Sequence, residues 1–337
     1  MHGRMGGNVE AEVLIDRLLN LMPCQDLILA AADRARERAR SAEIVQSLPG
    51  GVPQRTPEWY EVRKGMITAS EFKMAAADTI DTYVWGKIFP QPFPSNAAMQ
   101  WGCRFEDLAA ATYERENHVK IHEYGLLVHP QDHWLGASPD GITEYGVAIE
   151  IKCPYSRKRC EIDKRVAEKR PFPKNDKQAL HARYLPQIQG QLEVCNLDVC
   201  DFVVAHIDAM DADTFWQLRR VSDQPYRYAI VADVPKEGGE PGALAYRTAP
   251  LNLDDTALEA WKEGVCAAGA IEIHYAHVRE LGVTRIRRDK HKWSEIRHGL
   301  GRSKAAIEAI KQDIDHTLQM PPGCNVPMFS ADCDEPC

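Results

Sequence analysis

The sequence predicts an α/β fold in which a mixed central sheet is flanked by helices. One observation is a helical pattern that precedes three strand-like segments, and these segments are separated by Asp-Gly and Tyr-Gly turns. A second is a further helical pattern followed by one more β-branched strand. The order helix, β-meander, helix, strand is typical of a sheet with helices on its faces. These segments are, in order, 101–118, 119–129, 133–142, 146–154, 182–196 and 199–207.

The 337-residue chain divides into four predicted regions. Apolar positions at helical spacing predict two helices near the N-terminus, and a Pro/Gly-rich stretch at 48–57 then acts as a linker. A second Gly/Pro-rich break at 235–244 precedes a segment with a helical pattern. The predicted regions are a helical extension (1–50), the α/β core (55–235), a helical C-terminal region (250–320) and a disordered tail (321–337).

Composition predicts a folded protein inside the cell, in the cytoplasm or nucleus, including the case of a viral or phage protein acting in its host. The contents of 44% hydrophobic and 27% charged residues are ordinary for a folded protein. No apolar run approaches the roughly 20 residues that cross a bilayer. The first residues contain no apolar stretch of the kind found in secretory signals, so no such signal and no membrane association are expected.

Charge and cysteine content add further constraints. The formal net charge of −8 argues against a nonspecific nucleic-acid coat protein, although two segments, 157–177 and 284–304, are basic. Either segment could contact phosphates or form a solvated helix face. Ten cysteines without a CxxC pair predict reduced, buried thiols. A metal knuckle formed by the tail cysteines is the alternative, but no histidine completes a familiar zinc spacing.

The stretch SPDGITEYGVAIEIKCP holds the most specific chemistry. Asp140 precedes a turn, and Glu150 and Lys152 follow on an apolar strand. Side chains alternate along a strand, so Glu150 and Lys152 share one face while their isoleucine neighbours point into the core. Two carboxylates and one amine therefore converge. This grouping suits a cation with oxygen ligands and a bound water, which are the requirements for breaking a phosphodiester.

Four segments in this order resemble the lambda-exonuclease/YqaJ-like viral recombinase branch of the PD-(D/E)xK nuclease superfamily. The resemblance covers roughly residues 57–207 and implies a restriction-endonuclease-like core. A single Glu-x-Lys pair would be a weak signal because it arises often by chance, whereas four ordered segments are specific. The segments are WYEVRKGMITASEF (59–72), WGCRFEDLA (101–109), SPDG…AIEIKCP (138–154) and ARYLPQIQGQLEV (182–194).

For the metal, the chemistry and the resemblance together predict Asp140 and Glu150 as carboxylate ligands, and the resemblance implies the backbone carbonyl of Ile151 as a further one. The expected ion is Mg²⁺, with Mn²⁺ able to substitute, since Mg²⁺ keeps several waters and needs few protein ligands. Lys152 would orient or help deprotonate the attacking water. Glu106 is implied beside the metal, where a second ion would need another carboxylate. An exposed helical glutamate is the competing interpretation of Glu106.

A separate phosphate site is predicted around Arg63 and Ser70. Thr68 and Glu71 form a capping-box pattern, which places Ser70 in the first turn of a helix, where free N–H groups favour an anion. An arginine can donate two bonds to one phosphate. The resemblance implies that Arg63 and Ser70 hold the 5′-phosphate of a DNA end, with Ser138 joining them. A purely structural role for Ser70 remains an alternative.

The helix at 182–196 supplies the remaining candidates. Tyr184 and Gln187 lie one turn apart and share a face. The resemblance implies a Gln near the scissile phosphate or the attacking water, whereas Tyr184 could instead be a buried structural residue. Gln189 is expected to face away from Gln187. Trp59 and Trp101 are interpreted as core residues rather than DNA-stacking ones.

The residues predict a Mg²⁺-dependent DNA nuclease, and the resemblance implies a 5′→3′ exonuclease that resects linear duplex ends for recombination or repair. An endonuclease or junction resolvase on the same core is one alternative. A catalytically silent DNA-binding recombination scaffold is the other, although such a scaffold has no need of the Asp–Glu–Lys trio. The resemblance also implies a single-strand annealing protein as partner and a homo-oligomer as one possible assembly.

Overall fold

The computed structural model describes residues 39–40, 43–91, 95–155, 174–238 and 242–314. It contains eight named helices and two sheets within these ranges. The helices are α1 (Pro57–Lys64), α2 (Phe72–Ala75), α3 (Asp81–Ile88), α4 (Ala97–Asn117), α5 (Lys174–Val194), α6 (Ala212–Val221), α7 (Asp255–Ala267) and α8 (Lys290–Ile314). Two 3₁₀ turns, Ala69–Glu71 and Pro225–Arg227, complete the helical elements.

The central sheet has seven strands in the order β2-β5-β6-β7-β10-β8-β9, and a smaller sheet has the order β1-β4-β3. The pair β6 and β7 is parallel, and the other pairs of the large sheet are antiparallel, so the predicted mixed sheet flanked by helices is confirmed. The strands are β1 (Ile67–Thr68), β2 (Ile121–His122), β3 (Leu127–Val128), β4 (Leu135–Ala137), β5 (Gly141–Thr143), β6 (Val147–Lys152), β7 (Val199–Met210), β8 (Tyr228–Pro235), β9 (Leu244–Thr248) and β10 (Glu272–Arg287).

The predicted helical C-terminal region is wrong in part, because it contains a long strand. Helix α7 ends at Ala267, and β10 then runs for 16 residues through the sheet. It pairs with β7 on one side and with β8 on the other. The C-terminal region therefore completes the same sheet as the predicted core, and its helices within residues 250–314 are α7 and α8. The proposed domain boundaries themselves stay predictions.

Two apolar clusters cover the two faces of the sheet. On one face α4 packs Phe105 and Leu108 against Ile149 of β6 and Val203 of β7. On the other face α5 packs Ile188 and Leu192 against Phe202, together with residues of α2 and α8. Helix α5 lies close to α2 because residue 190 is glycine; a Cβ there would stand 2.2 Å from the Phe72 ring. This close approach holds the glutamines of α5 over the sheet.

The structure tests the predictions for the tryptophans, the cysteines and membrane-spanning helices. Trp59 and Trp101 are buried, as predicted. Buried thiols are confirmed for Cys153, Cys195 and Cys200, whereas Cys266 is exposed. Among the helices that the structure describes, none is both long and apolar enough to cross a membrane.

Other expectations fall outside the described residues. They include most of the predicted N-terminal helices, the tail with Cys324, Cys333 and Cys337, and most of the basic segment at 157–177.

The second basic segment, 284–304, is largely engaged in ion pairs. Arg285 donates to both oxygens of Asp201, Arg288 binds Glu193, and Arg297 donates to both oxygens of Asp132; the distances are 2.5–3.0 Å. The solvated or structural interpretation therefore accounts for these arginines better than phosphate binding does.

Candidate active site

The hairpin of β5 and β6 brings the predicted trio together. Gly141 pairs with Ile149, so continuing the register by one residue places Asp140 opposite Glu150. Lys152 Nζ lies 2.9 Å from Glu150 Oε1, which confirms that the two side chains share a face. Ile149 and Ile151 point to the opposite side and are buried in the core. Strand alternation alone thus assembles two carboxylates and one amine at one point of the sheet.

Asp140 is held at the end of the hairpin by the backbone of β6. Its Oδ2 accepts a hydrogen bond from the Ile151 N–H at 2.6 Å. Burial raises the pKa of the Asp140 carboxyl well above its usual range, and the charges of Glu150 and Glu106 raise it further, against the opposing effects of Lys152 and the Ile151 N–H. Among the described residues, the two carboxyl groups of Asp140 and Glu150 therefore face one cation, Lys152.

Glu150 is almost fully buried and is surrounded by donors. Gln187 Nε2 donates to Oε1 at 2.7 Å, and Gln191 Nε2 donates to Oε2 at 2.6 Å. Gln187 was predicted to lie at the site, whereas Gln191 was not selected from the sequence. The signal was available, because Gln191 follows Gln187 by four residues and therefore shares its helical face. Gln189 faces away, as predicted, and bonds to the backbone of Arg287 and Asp289.

Tyr184 lies one turn before Gln187 and combines a core position with a contact to the site. Its ring is 8% exposed and its centroid lies 5.4 Å from that of Phe202. Lys152 Nζ lies 5.0 Å from the Tyr184 ring centroid, within the range of a cation–π contact. Lys152 is therefore contacted by both Tyr184 and Glu150.

Glu106 projects from α4 and is held by a cation. Arg55 Nη2 donates to both Glu106 oxygens, at 3.0 and 2.8 Å, and both side chains are partly exposed. Within the described part of the chain, Glu106, Asp140 and Glu150 do not form a group whose ligand atoms all lie within 4.8 Å of one another. Glu106 is thus a partly exposed, ion-paired helical residue whose charge contributes to raising the pKa of Asp140.

The three predicted phosphate-binding residues gather around one tryptophan. Arg63 Nη2 donates to Ser70 Oγ at 3.2 Å, and the Arg63 Cζ lies 4.1 Å from the Trp59 ring centroid. Trp59 Nε1 in turn donates to Ser138 Oγ at 3.0 Å. Ser138 lies two residues before Asp140, so this group adjoins the carboxylates.

The helix predicted to carry Ser70 is shorter than expected. The capping box is present, since Glu71 Oε2 accepts from the Thr68 N–H at 2.7 Å. However, Ser70 lies in a 3₁₀ turn, and the α-helix that follows, α2, has only four residues. The helix-dipole part of the prediction is therefore wrong, and the guanidinium of Arg63 is the feature that favours an anion there.

The donor set at the trio fits a hard divalent cation. Asp140 and Glu150 offer carboxylate oxygens, and Gln191 Oε1 is buried without a hydrogen-bond partner among the described residues. Burial raises the pKa of the adjacent Cys200 thiol well above its usual range, and the charges of Glu150, Asp201 and Asp140 raise it further. The thiol is therefore neutral, so the donors are oxygens, which Mg²⁺ and Mn²⁺ prefer.

A second group of potential ligands lies elsewhere in the sheet. Ligand atoms of Asp233, Glu272 and His274 all lie within 4.8 Å of one another. Arg104 donates to both Asp233 oxygens, at 2.9 and 2.6 Å. Because this fork already balances the buried carboxylate, the group is a structural ion-pair network.

Comparisons with known proteins agree with the motif-based resemblance. The family model described as YqaJ-like viral recombinase domain matches residues 58–198. The Uncharacterized protein R354 of Acanthamoeba polyphaga mimivirus is 28% identical over 188 residues, which are 50% of this chain and 32% of that protein. The chain thus spans about a third of the length of the curated relative that it matches.

Two solved structures match the chain at low identity and low TM-score. The alkaline exonuclease LHK-Exo from Laribacter hongkongensis is 23% identical, with a TM-score of 0.44 over 77% of this chain and 98% of that one. A phage related exonuclease from Haemophilus somnus 129PT is 12% identical, with a TM-score of 0.44 over 74% of this chain and 96% of that one. Residues 58–198, which hold all of the predicted site residues, thus match the YqaJ-like viral recombinase domain that the sequence motifs predicted.

Proposed function

We propose that the chain is a divalent-metal-dependent DNA nuclease, and specifically a 5′→3′ exonuclease that resects linear duplex ends for recombination or repair. One observation carries the proposal: Asp140 and Glu150 stand opposite each other on adjacent strands, and Lys152 Nζ lies 2.9 Å from Glu150. A binding module has no use for this buried surplus of negative charge. The match of residues 58–198 to a viral recombinase domain supports DNA as the substrate.

Each residue of the trio has a distinct task in phosphodiester hydrolysis. Asp140 and Glu150 would hold Mg²⁺, or Mn²⁺ in its place, with the Ile151 carbonyl as a further proposed ligand. A bound divalent ion supplies Lewis acidity to the phosphate and lowers the pKa of a coordinated water. Lys152 orients the attacking water and offsets the negative charge that develops on the phosphate oxygens. Gln187 holds Glu150, and Glu106 is available for a second ion.

Hydrolysis at this site fits with recognition of a 5′-phosphate. Water adds to phosphorus, the P–O3′ bond breaks, and the leaving O3′ takes a proton to become a hydroxyl. The remaining strand then ends in a new 5′-phosphate. Arg63, Ser70 and Ser138 would bind this group, because Arg63 is buried against Trp59 and directs a guanidinium to Ser70. Each cleavage would regenerate the end that the next cycle needs.

The proposed context follows from the reaction. Digestion of the 5′ strand leaves a 3′ overhang, which a single-strand annealing protein would coat, so such a protein is the proposed partner. A homo-oligomer is the proposed assembly that could keep the enzyme on DNA between cuts. The site of action is the cytoplasm or nucleus that holds the DNA.

The test compares three substrates at equal concentration with Mg²⁺: linear duplex with a 5′-phosphate, the same duplex with a 5′-hydroxyl, and closed circular DNA. Rapid loss of the phosphorylated linear duplex alone, abolished by Asp140→Asn, is the expected result. Equal cleavage of circular DNA would instead favour an endonuclease or resolvase. Absence of cleavage with Mg²⁺ and with Mn²⁺, together with tight DNA binding, would favour the silent scaffold.

A further inference from the structure

The carboxylate of Glu150 receives three donors, and one of them has no assigned role. Lys152 and Gln187 both approach Oε1, at 2.9 and 2.7 Å. Gln191 alone donates to Oε2, at 2.6 Å. Glu150 and Gln191 are each 1% exposed, so water does not compete for this bond. The direction in which Oε2 points is therefore fixed by Gln191.

Helix geometry explains why Gln191 can do this and Gln189 cannot. Gln187 and Gln191 are four residues apart, so both amides of α5 reach the same carboxylate. Gln189 is also 1% exposed, but it lies on the opposite side and binds the Arg287 carbonyl and the Asp289 N–H. One helix thus offers two equally buried glutamines, of which only one contacts the site.

The orientation of the Gln191 amide is determined by its neighbour. Its nitrogen must face Glu150, because the amide oxygen would be repelled by the carboxylate. The oxygen then remains buried, and within the described part of the chain it has no hydrogen-bond partner. Buried carbonyls are rarely left in this state. A buried amide oxygen without a partner lowers stability. Its presence beside the carboxylates indicates that the Gln191 amide serves the site rather than the fold.

We propose that Gln191 is a positioning residue that holds Glu150 in the orientation that the divalent cation requires. The inference rests on the proposed nuclease function and deepens it. The Gln191 amide donates to Oε2 at 2.6 Å, and a hydrogen bond to a carboxylate is stronger than one between neutral groups. Without this donor, Glu150 would lie beside Asp140 with only Oε1 anchored. Its carboxylate could then rotate away from the position of the cation, which would weaken cation binding.

The experiment measures Mn²⁺ affinity of the full chain by calorimetry without DNA, alongside the thermal midpoint without metal. Gln191→Met, which keeps the length but removes the donor, is compared with Gln189→Met as a matched control. We expect Gln191→Met to weaken Mn²⁺ binding by about 10- to 100-fold. Gln189→Met should lower the thermal midpoint but leave Mn²⁺ affinity within about twofold of the wild type. Raising Mn²⁺ should restore DNA cleavage to Gln191→Met.

The outcomes separate this inference from the function on which it rests. If the wild type binds Mn²⁺ and cleaves DNA, but Gln191→Met binds Mn²⁺ equally well, the positioning role is overturned and the nuclease stands. If Gln191→Met does not fold, Gln191→Leu is measured in its place; failure of both variants to fold would make Gln191 structural and also overturn the inference. If the wild type neither binds Mn²⁺ nor cleaves DNA, both proposals fail together.

Discussion

Two buried carboxylate clusters occupy the same sheet, and they differ in how their charge is balanced. At the edge of β8, Asp233 is held by the fork of Arg104, so one anion meets one cation. At the β5–β6 hairpin, Lys152 is the cation that Asp140 and Glu150 share among the described residues, and amides supply the remaining donors. The buried carboxylate of Asp233 is thus matched by a guanidinium, whereas the described residues around Asp140 and Glu150 leave a surplus of negative charge.

This difference separates a structural ion pair from a site prepared for a ligand. A buried pair with matched charges needs nothing further, and its removal chiefly affects stability. Burial, and then the charges of Glu150 and Glu106, raise the pKa of Asp140 and thereby lower the stability of the metal-free fold at neutral pH. Such a cost is typical of a position where an external cation completes the charge balance.

The largest expected effect is on catalysis at the hairpin. Lys152→Met should reduce DNA cleavage by about a thousandfold, because it removes the group that orients water and offsets developing charge. The initial cleavage rate with saturating Mg²⁺ measures this loss. Lys120→Met is the matched control, since Lys120 is 73% exposed and lies between the C-terminal end of α4 and β2. Similar rates for the two variants would contradict the assignment.

The next effect is on stability at the other cluster. Arg104→Met should lower the free energy of unfolding by about 3–5 kcal/mol, because Asp233 would stay buried without its cation. Urea unfolding measures this loss, while cleavage per folded molecule should stay close to the wild-type rate. Arg220→Met offers a comparison, as Arg220 pairs with Asp255 on the surface and should cost at most about 1 kcal/mol. A strong loss of DNA cleavage by folded Arg104→Met would contradict the assignment of the Asp233 cluster as purely structural.

The hairpin could be predicted from sequence because its geometry is local. Alternation along one strand fixes the shared face of Glu150 and Lys152, and a turn of a few residues returns Asp140 to them. The position of Gln187 at the site could be predicted only from the family resemblance, since nothing in the sequence of α5 shows which of its faces meets the sheet. Gln191 was within reach of the four-residue helical spacing but was not selected.

Features that depend on distant partners were less predictable. Strand β10 follows the Ala-rich helix α7, and the whole stretch was predicted as helical. Its strand conformation is stabilised by pairing with β7 and β8, tens of residues away in the sequence. The short helix after Ser70 likewise ends where Ser303 and Arg302 of α8 bind the carbonyls of Ala75 and Ala77. Neither contact can be recognised from local pattern.

The stability of the protein should depend on pH through the buried carboxyl of Asp140. The ordinary pKa of an aspartate is 3.8, and that of Asp140 is raised in the folded state. Folding therefore favours the protonated form; the resulting stability is present below pH 3.8 and is lost as pH rises through the folded-state pKa.

In the presence of EDTA, the wild type should thus lose stability as pH rises from about 4. Asp140→Asn should lack this loss and be the more stable protein at neutral pH. Thermal midpoints between pH 4 and 8 measure both curves, and Asp132→Asn, at an ion-paired aspartate whose pKa is lowered, serves as the control with the opposite sign. If the thermal midpoints of the wild type and Asp140→Asn change in parallel with pH, the buried Asp140 carboxylate does not destabilise the fold and the prediction is wrong.

The smallest expected effect concerns the boundary of the hairpin cluster. Arg55 binds both oxygens of Glu106 in a partly exposed pair, so Arg55→Gln should change the free energy of unfolding by no more than about 1 kcal/mol. If Glu106 serves a second ion, Arg55 competes with that ion, and its removal should lower the Mg²⁺ concentration for half-maximal cleavage by a few-fold. Arg297→Gln, which breaks an ion pair with Asp132, should leave this concentration unchanged. If Arg55→Gln instead needs a higher Mg²⁺ concentration for half-maximal cleavage, the role of Arg55 is to orient Glu106 toward the metal. Glu106 would then be grouped with the carboxylates that depend on a cation from the protein.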